Sequence, residues 1–304
     1  MKGETLRTMT AEEFTTSDGT RLRVVDEGPA DAPVAVVLVH GWALTKHTWD
    51  RVADGLPEAA GTQLRILRFD LRGHGESDPA QPGSASIRQC ADDLAELIAE
   101  RVPEGPVVLA GHSMGGMTIM AFAEQHPELF ARRTAAVALV ATSAGDLVAP
   151  TLGLPRPVAA VANRGEQAFR KRLAASRGKR LVPQSSWLRP GMRWLLFGRS
   201  PEAADVAATA DWVAGCHPAN MAAYRQALAE HERHGALAAL RSVPTVVLSG
   251  LADRLTPHSH ARRIADALPD AKLLIYAGAG HMLPLERADE VTARIAELVT
   301  RALR

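Results

Sequence analysis

The sequence predicts an α/β protein: a mostly parallel, doubly wound sheet with a helical cap inserted before the last two strands. Two observations carry this. Short apolar runs without polar alternation recur along the chain, as expected for strands covered on both faces. Amphipathic helical patterns separate them, as crossover connections between parallel strands require. A third observation locates the insert. Between about 146 and 241 the alternation stops, and only helical patterns broken by Pro and Gly remain.

The elements follow in order. Thr15–Asp18 and Leu22–Asp26, split by Asp18-Gly19, read as an antiparallel hairpin at one edge of the sheet. Buried strands are expected at Val34–His40, Leu64–Phe69, Val107–Ala110, Val137–Ala141, Thr245–Leu248 and Leu273–Tyr276. Helices are expected over Ile87–Glu100 and Met117–Gln125. This divides the chain into a core of residues 1–145 and 242–304 and a helical cap of 146–241.

Composition bounds the function classes. With 304 residues, 46% hydrophobic and 23% charged, the chain suits one large domain or one domain with an insert, not a disordered chain or a disulfide scaffold. A net charge of +1 gives no global reason to expect nucleic-acid binding. Cys90 and Cys216 lie far apart, outside any CxxC or metal-type His spacing, so two buried thiols are expected and no metal site. The polar N-terminus and the lack of a long apolar run predict neither a signal peptide nor a membrane span, which makes the cytoplasm the default compartment.

The chemistry-bearing residues sit at predicted strand ends. Gly111-His112-Ser113-Met114-Gly115 follows a strand and opens a helix, the context of a nucleophile elbow. Its small residues let the chain turn sharply and expose Ser113 at a helix start, where the dipole favours an oxyanion. A serine hydroxyl needs a base. His281, in a loop of small residues after the last strand, is the candidate among eleven histidines. His112 adjoins Ser113 and is expected to point elsewhere. The base needs an acid to fix its tautomer. Asp253 follows the strand before it, and Asp146, after the preceding strand, is the alternative. Gly41 allows a turn that aims the Trp42 N–H at the site, and the Met114 N–H is the second oxyanion donor. The Trp42 side chain either lines an acyl pocket or packs.

These segments together resemble the α/β-hydrolase superfamily over nearly the full length. The resemblance rests on HGW at 40–42, DLRGHGES at 70–77, GHSMGG at 111–116, GLADRLTP at 250–257 and GAGHMLP at 278–284. It implies a capped serine esterase with the triad Ser113, Asp253 and His281, no cofactor, and a structural role for Asp70 and Arg72. Ser at the nucleophile position disfavours epoxide and halide chemistry, where relatives carry Asp. Ala43 stands where many relatives have Pro, which bears on the path of the oxyanion loop.

The expected reaction is hydrolysis of a carboxylic ester through an acyl-enzyme. Perhydrolysis, C–C or lactone cleavage and acyl transfer are alternatives on the same triad, and a ligand receptor is the non-catalytic one. In the cap, Trp187, Trp194 and Trp212 either make an apolar substrate site or pack the cap onto the core. Ten basic residues between Arg164 and Arg199 face a single acid, Glu166. They read as a solvated helix face or as a docking surface for an anionic substrate, carrier protein or membrane. A small apolar ester or acyl compound is the expected substrate.

Overall fold

The computed structural model describes residues 11–147, 168, 171–176, 178 and 180–304. Among these, eight strands form one sheet in the order β1-β2-β4-β3-β5-β6-β7-β8. The strands are β1 (Ala11–Thr15), β2 (Arg21–Glu27), β3 (Ala35–Val39), β4 (Arg65–Phe69), β5 (Val107–His112), β6 (Thr134–Val140), β7 (Thr245–Gly250) and β8 (Lys272–Tyr276). β2 runs antiparallel to both β1 and β4, while the strands from β3 to β8 are parallel.

Unalternating strand sequences make sense once both faces are seen. In β3, Val36 and Leu38 join one apolar cluster while Ala35, Val37 and Val39 join another on the opposite face. Successive strand side chains point to opposite faces, so a sheet covered twice needs apolar residues at every position. Helices α1 (Asp50–Ala60), α2 (Ile87–Arg101), α3 (Met114–Gln125) and α4 (Pro127–Arg133) complete the first half. Ser86 caps α2 by accepting the Gln89 N–H at 3.1 Å.

The edge hairpin lies slightly earlier than the sequence suggests. Its first strand is Ala11–Thr15, and the expected strand Thr15–Asp18 is mostly turn. The Thr16 N–H donates to Thr20 O at 3.0 Å and the Gly19 N–H to Thr16 O at 2.8 Å, with Gly19 at φ 84°. Polar Thr and Asp side chains here satisfy turn backbone rather than extend a ladder.

Between β6 and β7 the described residues contain helices and no strand: α5 (Arg189–Leu196), α6 (Ala203–Gly215), α7 (Pro218–Ala229) and the single turn α8 (Leu237–Leu240). Ala236, Leu237 and Leu240 belong to the same apolar cluster as α2 and α3. Tyr224 of α7 also reaches that cluster, its hydroxyl donating to Arg72 O at 2.9 Å. The second half closes with α9 (His258–Ala267), α10 (Leu283–Glu286) and α11 (Ala288–Ala302), the last packing beside α1.

The segment from Asp70 to Ser77 is internal scaffolding. Buried Asp70 accepts the Lys46 N–H at 2.7 Å, Lys46 Nζ at 2.8 Å and the Glu76 N–H at 2.9 Å. Arg72 forms a forked ion pair with fully buried Asp93 and reaches Asp18 at 2.8 Å. Cys90 and Cys216 are buried free thiols, and burial pushes both up to about 12. No helix among the described residues is long and apolar enough to cross a membrane.

Candidate active site

Ser113 stands between β5 and α3 at φ 52°, ψ −119°. A non-glycine residue there carries strain of about 1–3 kcal/mol, which persists only when its surroundings over-determine it. They do. The Ser113 N–H donates to Val140 O at 2.9 Å, and Ser113 O accepts from the Gly116 N–H at 2.9 Å and Thr142 Oγ1 at 2.7 Å. Helix α3 must also pass very close to β3. A Cβ on Gly115 would come within 2.1 Å of Val39 O, so only glycine fits.

His281 follows β8 and Asp253 follows β7, and the parallel neighbours deliver both to the same sheet edge. His281 Nδ1 and Asp253 Oδ2 are 2.8 Å apart in a pair that is almost wholly buried. Asp253 Oδ1 accepts the Leu255 and Thr256 N–H groups at 2.8 and 2.9 Å, and Oδ2 accepts Thr256 Oγ1 at 2.8 Å. Burial opposes ionisation of this carboxyl, but the imidazole and these hydrogen bonds outweigh it and hold Asp253 below the usual carboxylate range. An ionised Asp253 accepts the Nδ1–H, which leaves Nε2 as the basic nitrogen of His281.

Asp146 does not take part. It is exposed after β6, and its N–H donates to Glu232 Oε1 at 2.7 Å. Its carboxylate lies 3.4 Å from His234 and 3.7 Å from Arg263. The acid next to His281 is therefore Asp253.

Two supports were not anticipated from the sequence. Thr256 Oγ1 bridges the strands, reaching Ala141 O at 2.9 Å and lying 3.3 Å from His281 Nδ1. His112 does turn from the Ser113 side, but toward His281. Its ring centroid is 4.9 Å from that of His281, and its Nε2–H donates to His281 O at 2.9 Å. Burial, reinforced by His281, pushes His112 down to about 3, so it remains a neutral donor. The GHSMGG segment contained this residue, but no local pattern reveals that it meets a loop 169 residues away.

The loop after β3 seats itself on the elbow. A Cβ on Gly41 would lie 3.0 Å from the Ser113 Cβ. His40 Nε2 accepts the Leu71 N–H at 2.9 Å, so its Nδ1 carries the proton and donates to Gly41 O at 2.7 Å. Ala43 takes φ 59°, which the ring of proline forbids, so the departure from Pro at this position is a change of backbone path. Met114 opens α3, where an N–H has no acceptor within the helix. The Trp42 N–H donates to no group among the described residues.

Ser113, His281 and Thr256 open onto one cavity of about 290 Å³. Trp42 lines it, as do Ala43 and Leu44. From the cap come Met192, Leu195 and Leu196 of α5, Val213 of α6, and Met221, Arg225 and Leu228 of α7. The cap tryptophans do not line it. Trp187 and Trp194 are 65% and 52% exposed, and Trp194 lies under the Arg254 guanidinium at 5.2 Å. Trp212 packs with Leu196, Phe197 and Met282. For Trp194 the reason is helical phase: on α5 the face carrying Met192, Leu195 and Leu196 turns inward, which leaves Arg189, Arg193 and Trp194 outside. Met221, Arg225 and Leu228, spaced four and three apart, were missed although that spacing marks one helix face.

Of the basic residues between Arg164 and Arg199, Lys171, Arg172, Arg180, Arg189, Arg193 and Arg199 are exposed. Arg164, Arg170, Arg177 and Lys179 lie outside the described residues, as does Glu166.

Comparison with known proteins fits this geometry. A family model for the alpha/beta hydrolase fold matches residues 34–288, and the chain belongs to that family. A pimeloyl-[acyl-carrier protein] methyl ester esterase of Chromobacterium violaceum is 28% identical over 86% of this chain and 92% of its own. A bifunctional esterase/perhydrolase of Acinetobacter calcoaceticus is 25% identical over 91% and 95%. A more local match, 37% identical over 133 residues, involves a Bacillus subtilis protein of which the chain spans 44%. Among solved structures, a thermophilic esterase from Thermogutta terrifontis superposes with a TM-score of 0.77 at 26% identity, covering 97% of this chain and all of that one.

Proposed function

We propose that this α/β-hydrolase enzyme cleaves a carboxylic ester of moderate size through an acyl-enzyme on Ser113. His281 Nε2 takes the Ser113 proton as the oxygen attacks the acyl carbon. The Trp42 and Met114 N–H groups hold the oxyanion of the tetrahedral intermediate. On collapse the C–O bond to the alcohol breaks, and His281 returns the proton to the departing oxygen. Water then repeats the sequence on the acyl-enzyme, releasing the acid. Asp253 stays ionised and stabilises the imidazolium that forms in each half-reaction.

One observation carries this reading: the buried Asp253–His281 hydrogen bond opens onto the same cavity as a serine held at positive φ. The names of the Chromobacterium and Thermogutta relatives support ester cleavage. The Acinetobacter relative supports a second use of the same acyl-enzyme, with hydrogen peroxide replacing water as acceptor. The test is labelling by a fluorophosphonate, followed by turnover of an ester chain-length series with water or peroxide as acceptor. Stoichiometric labelling of Ser113 and a chain-length optimum are expected. A folded protein that neither labels nor turns over any ester overturns the reading.

A further inference from the structure

We propose that the substrate is an ester one arm of which ends in a carboxylate, and that Arg225 binds that carboxylate inside the cavity. This rests on the ester-cleaving reading above and names the substrate class for it. Among the described residues, Arg225 is the one Arg or Lys in the lining. Apart from Ser113, Thr256 and His281 at the reacting end, the other lining residues are apolar.

The cavity wall draws on three apolar clusters. Leu44, Leu195, Leu196, Leu255 and Met282 belong to one apolar cluster. Met117 belongs to the main core cluster, against which Leu147 and Leu228 pack. Ala43 and Val213 belong to a third, against which Met192 and Met221 pack. Arg225 lies on α7 between Met221 and Leu228, and all three are half-buried. An ester seated at Ser113 meets hydrocarbon over most of this wall and a charged residue at Arg225.

Arg225 already interacts within the protein. A guanidinium carries five N–H donors in a planar fork that matches a carboxylate, more than a single hydrogen-bonding partner uses. A cation among apolar walls also acts at a lower effective dielectric than one on the open surface. Its attraction for a carboxylate is therefore stronger and less screened by salt. The exposed Arg189 and Arg193, on the outer face of the α5 helix that roofs the cavity, have the sign to steer such an anion inward.

The test compares monoethyl suberate with ethyl nonanoate, placing the carboxylate on the acyl arm. An acetate ester of a terminal hydroxy acid against octyl acetate places it on the alcohol arm. The readout is the ratio of kcat/KM, carboxylate over neutral, in wild type, Arg225→Lys and Arg225→Gln. In wild type the ratio on one arm should exceed one by about 10- to 100-fold, carried by KM. Arg225→Gln should collapse it toward one, and Arg225→Lys should fall between, because charge remains while the fork is lost. Calorimetric binding of the same four esters to Ser113→Ala, with and without Arg225→Gln, gives the same ratio without turnover. A wild-type ratio near one on both arms overturns the proposal, as does an unchanged ratio in Arg225→Gln. Preferential binding of the carboxylate ester with no turnover sinks the esterase reading instead and leaves Arg225 as the anion site.

Discussion

The loops at the strand ends and the cap above them build one cavity by different means. At the strand ends each functional group has several fixed partners. Asp253 accepts four hydrogen bonds, Ser113 is pinned through both its N–H and its C=O, and His281 is held by His112 from behind. The cap wall is set chiefly by apolar packing and helical phase, with scattered tethers such as the Tyr224 hydroxyl on Arg72 O and the His281 N–H on Leu196 O. Directional bonds over-determine a geometry, while apolar contacts specify only burial and volume. Changes at the strand ends should therefore abolish chemistry, and changes in the cap should redirect it.

Ser113→Ala should give the largest effect, a loss of ester turnover on the order of 10⁴–10⁶ with the fold retained, read by kcat and circular dichroism. A variant keeping more than a tenth of wild-type activity would erase the contrast between the two regions.

Next comes Asp253→Asn against Asp146→Asn. An amide at 253 can donate to the imidazole and stabilise the wrong tautomer, so a drop of about 10⁴ in kcat is expected. Asp146, exposed and tied to Glu232, His234 and Arg263, should change kcat less than about threefold. Reversed magnitudes would move the acid to the loop after β6.

Acid should act through buried histidines, three of them near strand ends and one, His231, just after α7. Burial holds His74 and His112 down to about 3 and His231 to about 4, and it lowers His40 as well. The unfolded chain binds protons at these groups below its own value of about 6.5, while the folded protein does not. Between about 6.5 and 3, then, the unfolded state carries more protons, and stability falls as pH falls. The urea midpoint should drop steadily from pH 7 to pH 5, before most carboxylates titrate. An unchanged midpoint over that range would contradict the burial of four neutral histidines.

The smallest effect is expected outside the cavity. Neutralising Arg189 and Arg193 to Gln should lower kcat/KM for a carboxylate ester by a few-fold at low salt, with the loss vanishing near 0.5 M salt. A loss that ignores salt would place these side chains in contact with bound substrate rather than in steering.

How much of this was legible in the residues follows the same division. The strand runs, the elbow and the Asp253 and His281 loops are local patterns. Each needs only a few neighbouring residues to say what the backbone must do, since a buried strand must be apolar throughout and a sharp βα turn must be small. Even there, the turn chemistry of Thr16–Thr20 shifted the first strand.

What no local pattern carried was direction. Trp187 and Trp194 were candidates for the substrate site and face solvent, Trp194 because the phase of α5 is chosen by what packs beneath it. Arg225 faces the cavity for the same reason, although in sequence it is one of thirty-five basic residues. His112 meets His281 only because β5 and the loop after β8 converge at one sheet edge. Side-chain identity is local, but the side a helix or ring presents is a free-energy minimum over contacts from distant parts of the chain. That choice belongs to the assembled fold.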